Sequence, residues 1–131
     1  MEIRRLRRDE LDALWSIDRS EVIERVYSRE GDVLRLRDER HDVRGWPAGE
    51  PEQYGPILHD CFDHGGACWG AFEADALVGA AVLERRFIGS DRDRLQLKFL
   101  HVGRRHRGAG LGGRLFEEAR RRARELGARR L

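Results

Sequence analysis

A glycine-rich turn flanked by basic residues occupies positions 104–113, with the sequence Arg-Arg-His-Arg-Gly-Ala-Gly-Leu-Gly-Gly. Four glycines within six residues allow positive φ angles and let the backbone come close to a ligand. The N–H groups of a helix that begins directly after the turn would point at that ligand, and the helix dipole favours a negative charge there. These residue types at this spacing therefore predict an anion-binding site.

The turn fits more than one known pattern. Its basic-glycine pattern occurs in two overlapping frames, Arg105-x-x-Gly108-x-Gly110 and Arg107-x-x-Gly110-x-Gly112. The first, second and fourth glycines also satisfy the dinucleotide fingerprint, but that fingerprint needs a βαβ unit with an acidic residue about 20 positions further on, and the sequence ends first. A P-loop is excluded because no Gly-Lys-Ser or Gly-Lys-Thr follows.

The segments on both sides of the turn predict a strand and a helix. Residues 95–102 form an apolar, β-rich run that predicts a strand leading into the turn. From 111 to 126, apolar residues recur every three to five positions, which predicts a helix with one face packed on a sheet. Gly127 is the expected C-cap, and residues 128–131 look like the start of another strand.

Upstream of the turn, the sequence predicts an antiparallel hairpin. Residues 67–73 and 76–84 are apolar strand-like runs joined by a tight turn, and 88–94 is a polar loop before the next strand. Residues 2–8 fit an edge strand. We therefore expect three consecutive antiparallel strands that lead into the glycine turn.

The N-terminal segment predicts two helices. Asp9 is the expected N-cap of a helix over 9–18. A second helical segment over 21–30 is expected to be capped by Ser20 and to end at Gly31, because its apolar residues share one helical face.

The middle of the chain predicts a strand, a loop and a helix. Residues 32–37 alternate leucine with arginine, as in a strand, while 38–52 are charged and interrupted by glycine and proline, as in a loop. Trp46 in this loop is either a lid-like anchor or a residue lying on the core. The apolar spacing over 52–63 predicts a helix.

Composition limits the class of protein. The chain has 131 residues, enough for one domain, and its 26 basic residues are interleaved with 24 acidic ones for a net charge of +2, which argues against a nucleic-acid binder. Its two cysteines form no C-x-x-C unit and are expected to be reduced thiols. No segment is apolar enough for a signal peptide or a membrane span, so we expect a cytoplasmic protein without membrane association.

The order of hairpin, strand, basic-glycine turn and helix resembles the GNAT-type N-acetyltransferase superfamily. Residues 97–102 look like the fourth strand of that family, and Arg107-Gly-Ala-Gly-Leu-Gly112 looks like its acetyl-CoA pyrophosphate loop. The resemblance implies an α+β fold, a mostly antiparallel sheet flanked by helices, formed by a single domain over 1–131.

The resemblance also implies a set of binding residues for acetyl-CoA as co-substrate, with no metal. Backbone groups of the loop would hold the pyrophosphate, and the last residues of the strand would hold the pantetheine arm and help polarise the thioester. The implied cofactor-binding residues are Leu100, His101, Val102, Arg107, Gly108, Ala109, Gly110, Leu111 and Gly112.

The reaction implied is direct transfer of acetyl to a primary amine of a small molecule or peptide, which needs a general base. Glu84 and His101 are the catalytic candidates; the alternatives are a solvated strand end for Glu84 and a half-buried neighbour for His101. The acceptor is not identified by the sequence. An alternative function is a CoA-binding or regulatory module that has the fold but no turnover.

One departure from the family concerns the C-terminal part of the fold. The family continues through a fifth strand, a helix and two further strands, which carry the usual tyrosine general acid, whereas this sequence ends where the fifth strand would begin. We therefore expect a fold truncated after the loop helix. An unpaired fourth strand predicts a homodimer or strand exchange.

Overall fold

The structure is a computed structural model that describes residues 1–43 and 45–131, with the backbone alone described for 21–30 and 39–43. In chain order the elements are β1 (Glu2–Arg5), a 3₁₀ helix (Arg8–Ser16), β2 (Glu21–Glu30), β3 (Val33–Val43), α1 (Glu50–Asp63), β4 (Ala67–Glu73), β5 (Ala76–Ile88), β6 (Arg94–Val102), a short 3₁₀ turn (Arg104–His106) and α2 (Leu111–Glu125).

A four-stranded antiparallel sheet in the order β1-β4-β5-β6 forms the centre of the fold. The predicted α+β class, the edge position of the first strand and the three consecutive antiparallel strands are confirmed. Beyond α2, Arg130 forms a single parallel bridge with Arg94 at the start of β6, as expected of a beginning strand. Dimerisation or strand exchange through the β6 edge and truncation after the loop helix stay predictions.

Apolar side chains cover both faces of the sheet. On one face, α2 buries Leu111, Leu115, Ala119 and Ala123 against β4, β5 and β6. The other face packs against the N-terminal 3₁₀ helix and α1. The helix predicted over 111–126 is confirmed, but its C-cap is Leu126 and not the predicted Gly127, which follows the cap with a φ of +96°.

The segment over 21–30 is a strand, so the predicted helix is wrong. It pairs antiparallel with β3 from Glu21 to Glu30, with one irregularity between Ile23 and Arg25, and Gly31 lies in the turn between the strands with a φ of +61°. β-Branched residues favour a strand when a partner strand is present. That partner, β3, lies outside the segment, so the spacing of apolar residues within 21–30 does not indicate it. Ser20 therefore caps no helix.

Other boundaries also differ from the sequence predictions: β1 ends at Arg5 and not at residue 8, and α1 begins at Glu50 and not at residue 52. Residues 38–43 belong to β3 and not to the predicted loop, while Arg44 of that loop lies outside the described residues. β5 continues to Ile88, four residues further than predicted. The first helix is a 3₁₀ helix whose N-cap is Arg7, not Asp9, because the Glu10 carboxylate accepts a hydrogen bond from the Arg7 N–H at 2.9 Å.

Glu10 also joins this helix to β1. Its carboxylate pairs with the Arg4 guanidinium through two hydrogen bonds of 3.0 and 2.7 Å, and these bonds, with the Arg7 N–H, lower the pKa of Glu10 to about 2. The pKa of Glu10 is lower in the folded than in the unfolded protein. The bonds of its carboxylate therefore contribute fully to the free energy of unfolding above about pH 4.5, and this contribution is lost as the pH falls towards 2. We expect Glu10→Gln to flatten the fall in the free energy of unfolding over this range, measured by urea unfolding at stepped pH. A fall that is equally steep in the variant would contradict the assignment.

Candidate active site

A bulge in β6 changes the face to which its side chains point. Phe99 pairs with Val82 and Leu97 with Leu83, so Lys98 is an extra residue on β6. Before the bulge, Leu97 packs on the α2 side of the sheet. After it, Phe99 packs with the core that α1 and the 3₁₀ helix cover. The bulge therefore turns the end of β6 towards a different set of side chains.

The glycine turn after β6 has the backbone geometry of an anion site. Gly108 and Gly110 have φ angles of +82° and +81°, and nothing lies within 4 Å of where a Cβ would stand on either. The α2 ladder starts with a 3.1 Å hydrogen bond from the Arg114 N–H to the Gly110 carbonyl. Since the N–H groups of Leu111 and Gly112 belong to the first turn, they have no partner within the helix and can bind a ligand.

Arg107 ties the turn back to β6. Its Nε donates a 3.0 Å hydrogen bond to the Val102 carbonyl, and its Nη2 lies 3.4 Å from His101 Nε2. Because a guanidinium has donors and no acceptor, His101 uses the Nε2 lone pair as an acceptor in this contact. A histidine in this arrangement is a poor general base unless Arg107 moves.

An open cavity of about 400 Å³ brings together the residues at the end of β6 and the turn. Arg19, Leu100, His101, Val102, Arg107 and Gly112 line it. Five of these six residues are among those that the sequence predicts to bind the cofactor. Arg19 is not, since a single arginine after the 3₁₀ helix carries no pattern that marks it.

The two catalytic candidates lie far apart. Glu84 pairs with Gln96 across β5 and β6, while His101 pairs with Ala80. These positions are four residues apart on β5, about 13 Å at the rise of a strand. The half-buried Glu84 carboxylate lies 3.3 Å from Lys98 Nζ at the bulge. The structure therefore places one candidate beside the bulge and the other beside the glycine turn.

Three rings and His101 form a cluster at the end of β6 that the sequence did not indicate. The Trp46 ring centre lies 5.1 Å from that of Trp15, 5.8 Å from Phe99 and 4.8 Å from His101. Its Nε1 donates a 3.0 Å hydrogen bond to the Ile17 carbonyl. Of the two interpretations of Trp46, the structure supports the residue lying on the core.

The described part of the chain contains neither a cluster of metal ligands nor a membrane-spanning helix. No group of three or more His, Cys, Asp or Glu side chains is placed there to hold a metal ion. No helix among those residues has the length and apolar character needed to cross a membrane.

Comparison with known families identifies this arrangement. The sequence model described as "Acetyltransferase (GNAT) family" matches residues 11–131, which include the sheet strands β4 to β6, the glycine turn and α2. No curated protein matches the sequence significantly.

Solved structures share the fold. Nourseothricin acetyltransferase is 22% identical with a TM-score of 0.68, and the match covers 97% of this chain and 68% of that one. A Bacillus anthracis protein assigned as a streptothricin acetyltransferase, in complex with acetyl coenzyme A, is 20% identical with a TM-score of 0.58 and coverages of 95% and 68%. The aminoglycoside antibiotic 6'-N-acetyltransferase of Acinetobacter haemolyticus is 12% identical with a TM-score of 0.66 and coverages of 99% and 76%.

Proposed function

Because the chain belongs to the GNAT family of acetyltransferases, we propose that it transfers the acetyl group of acetyl-CoA to a primary amine of a small molecule or peptide. The observation that carries the proposal is the path of the backbone from the bulge of β6 through two left-handed glycines into the N-terminus of α2. This path places free N–H groups and a strand edge along one continuous surface.

The glycine turn fits a pyrophosphate. Gly108 and Gly110 leave open space where side chains would otherwise stand, and the first N–H groups of α2 point out of the helix end. Arg107, Gly108, Ala109, Gly110, Leu111 and Gly112 are the residues proposed to hold it. The helix dipole adds a positive potential at the same position.

The end of β6 fits the pantetheine arm. β6 is the last strand of the described sheet, and Leu100, His101 and Val102 at its end line the 400 Å³ cavity, which supports this end of the strand as the binding place of the arm. When bound, acetyl-CoA supplies the activated thioester. N–H groups at this end of the strand then stabilise the negative charge that develops on the carbonyl oxygen during attack by the amine.

Glu84 is the proposed general base. Its carboxylate is half-buried beside the bulge and retains acceptor positions besides the contact with Lys98. His101 is the second candidate, but its Nε2 already accepts from Arg107. Glu84 would take the proton of the acceptor amine through a water molecule, which is an established arrangement for general bases.

Release of free CoA thiol, measured with a panel of primary amines, tests the activity. Thiol release that depends on an amine supports the enzyme, whereas acetyl-CoA binding without release under any amine would support a binding module without turnover.

The protein's own thiols are expected not to disturb this assay. Burial raises the pKa of Cys61 to about 11 and that of Cys68 to about 12. The thiolate is the reactive form. We expect no reaction of the folded protein with Ellman's reagent at pH 8, and two reactive thiols after unfolding in guanidinium. Fast reaction of the folded protein would contradict the burial of either thiol.

A further inference from the structure

We infer that the acceptor carries a cationic anchoring group besides the reacting amine, and that Glu50 binds this group in an aromatic pocket beside the bulge of β6. The inference rests on the proposed function and names its substrate class: a diamine with an apolar spacer.

The pocket has a volume of about 250 Å³ and lies on the α1 side of the sheet. Its walls come from the 3₁₀ helix, α1 and the bulge, and they are mostly aromatic or aliphatic: Trp15, Glu50, Tyr54, Ile57, Leu58, Lys98 and Phe99. Aromatic faces attract a cation, and aliphatic walls favour an apolar spacer over a polar one.

Glu50 contributes a carboxylate to this pocket. Its Oε2 is buried and has no hydrogen-bond partner among the described residues. Arg19 Nη1 forms an ion pair with this oxygen at 3.9 Å, which is beyond hydrogen-bond distance. A buried carboxylate oxygen without a donor is costly, so an ammonium group that supplies N–H donors would bind favourably.

The two cations near the pocket each have another neighbour. Lys98 Nζ lies 3.3 Å from Glu84. The Arg19 guanidinium lies over the Trp46 ring, 5.2 Å from its centre. Arg19 therefore pairs with Glu50 only at ion-pair distance, which leaves Oε2 without a hydrogen-bond donor that an ammonium group of a ligand can supply.

The pocket adjoins the proposed cofactor site. It includes Phe99, whereas the 400 Å³ cavity begins with the next residue and includes His101. These two residues are about 7 Å apart along the strand. Arg19 lines the cofactor cavity and also approaches Glu50. An acceptor anchored at Glu50 would thus present a second amino group, one short apolar spacer away, to the thioester.

Binding of two matched amines to the protein with CoA present tests the inference. 1,5-Diaminopentane has the second ammonium, while 1-aminopentane has the same chain without it; affinity is followed by tryptophan fluorescence, because Trp15 lines the pocket. We expect the diamine to bind at least tenfold more tightly than the monoamine. Glu50→Gln should remove this preference by weakening the diamine at least tenfold and leaving the monoamine unchanged.

Glu52→Gln is the matched control, since Glu52 is exposed in the first turn of the same helix and does not line the pocket. It should keep the preference for the diamine. Equal binding of the two amines by the unmodified protein, or a preference that survives in Glu50→Gln, would overturn the inference. The monoamine affinity shows that the variant is folded. Because binding is measured without turnover, a failure of the proposed activity in the thiol assay would be seen separately.

Discussion

Gly110→Val is expected to weaken acetyl-CoA binding about 100-fold or more. Gly110 is the N-cap of α2 and has a φ of +81°, a conformation that costs an L-residue about 1–2 kcal/mol and a β-branched residue more. Relief of this strain would rotate the N–H groups of Leu111 and Gly112 away from the pyrophosphate. Hydrogen bonds to a charged group contribute about 1.5–3 kcal/mol each, so loss of two of them accounts for the expected size. Isothermal titration calorimetry measures the effect.

The control for this variant is Gly127→Val at the opposite end of the same helix. Gly127 has a φ of +96° and also has open space around its Cβ position. Both variants should lower the thermal midpoint, but only Gly110→Val should lower the affinity for acetyl-CoA. An unchanged dissociation constant in the folded Gly110→Val protein would show that the glycine turn does not hold the cofactor.

Glu84→Gln is expected to lower kcat about 100-fold or more while the KM for acetyl-CoA stays within a few-fold of its original value. General bases contribute roughly 10²- to 10⁴-fold to a rate, and the amide has no comparable basicity. The Glu84 carboxylate is half-buried beside the bulge of β6. At this point β5 and β6 lie between the proposed acceptor pocket and the helix α2, which covers the other face of the sheet. The acid limb of the pH profile of kcat should disappear in the variant, because that limb reports protonation of the base.

Lys98→Met separates catalysis by Glu84 from the role of its ion pair. This variant removes the 3.3 Å contact with Lys98 Nζ but keeps the carboxylate. We expect a smaller loss of kcat than in Glu84→Gln and a pH profile that retains its acid limb. Equal losses in the two variants, with both limbs intact, would mean that Glu84 serves only as the partner of Lys98.

Much of the proposed cofactor site could be predicted from the sequence because its chemistry is local. The turn over 104–113 contains its own glycines, its own arginines and the start of its own helix, all within about ten consecutive residues. Backbone conformation at Gly108 and Gly110 follows from residue type, and the N-terminus of α2 follows from the periodicity of the next 15 residues. The hairpin formed by β4 and β5 was predictable for the same reason.

Features that depend on distant partners were not predictable. The segment over 21–30 has apolar spacing compatible with a helix, and only its pairing with β3 makes it a strand. The face of β6 on which Phe99 and His101 lie depends on the bulge at Lys98, which is a mismatch in length between two paired strands. A single sequence does not show such a mismatch.

The sequence by itself thus determined the glycine turn and predicted an anion site there, since both follow from neighbouring residues, while the α+β class followed from the resemblance to the GNAT family. The tertiary structure alone decided the acceptor side of the proposed site. Trp15, Trp46, Glu50 and Phe99 come from three different segments, and no spacing rule connects them. They meet because packing on the α1 side of the sheet buries apolar surface from all three segments together. The spacing of neighbouring residues in the sequence does not show which distant segments are buried together.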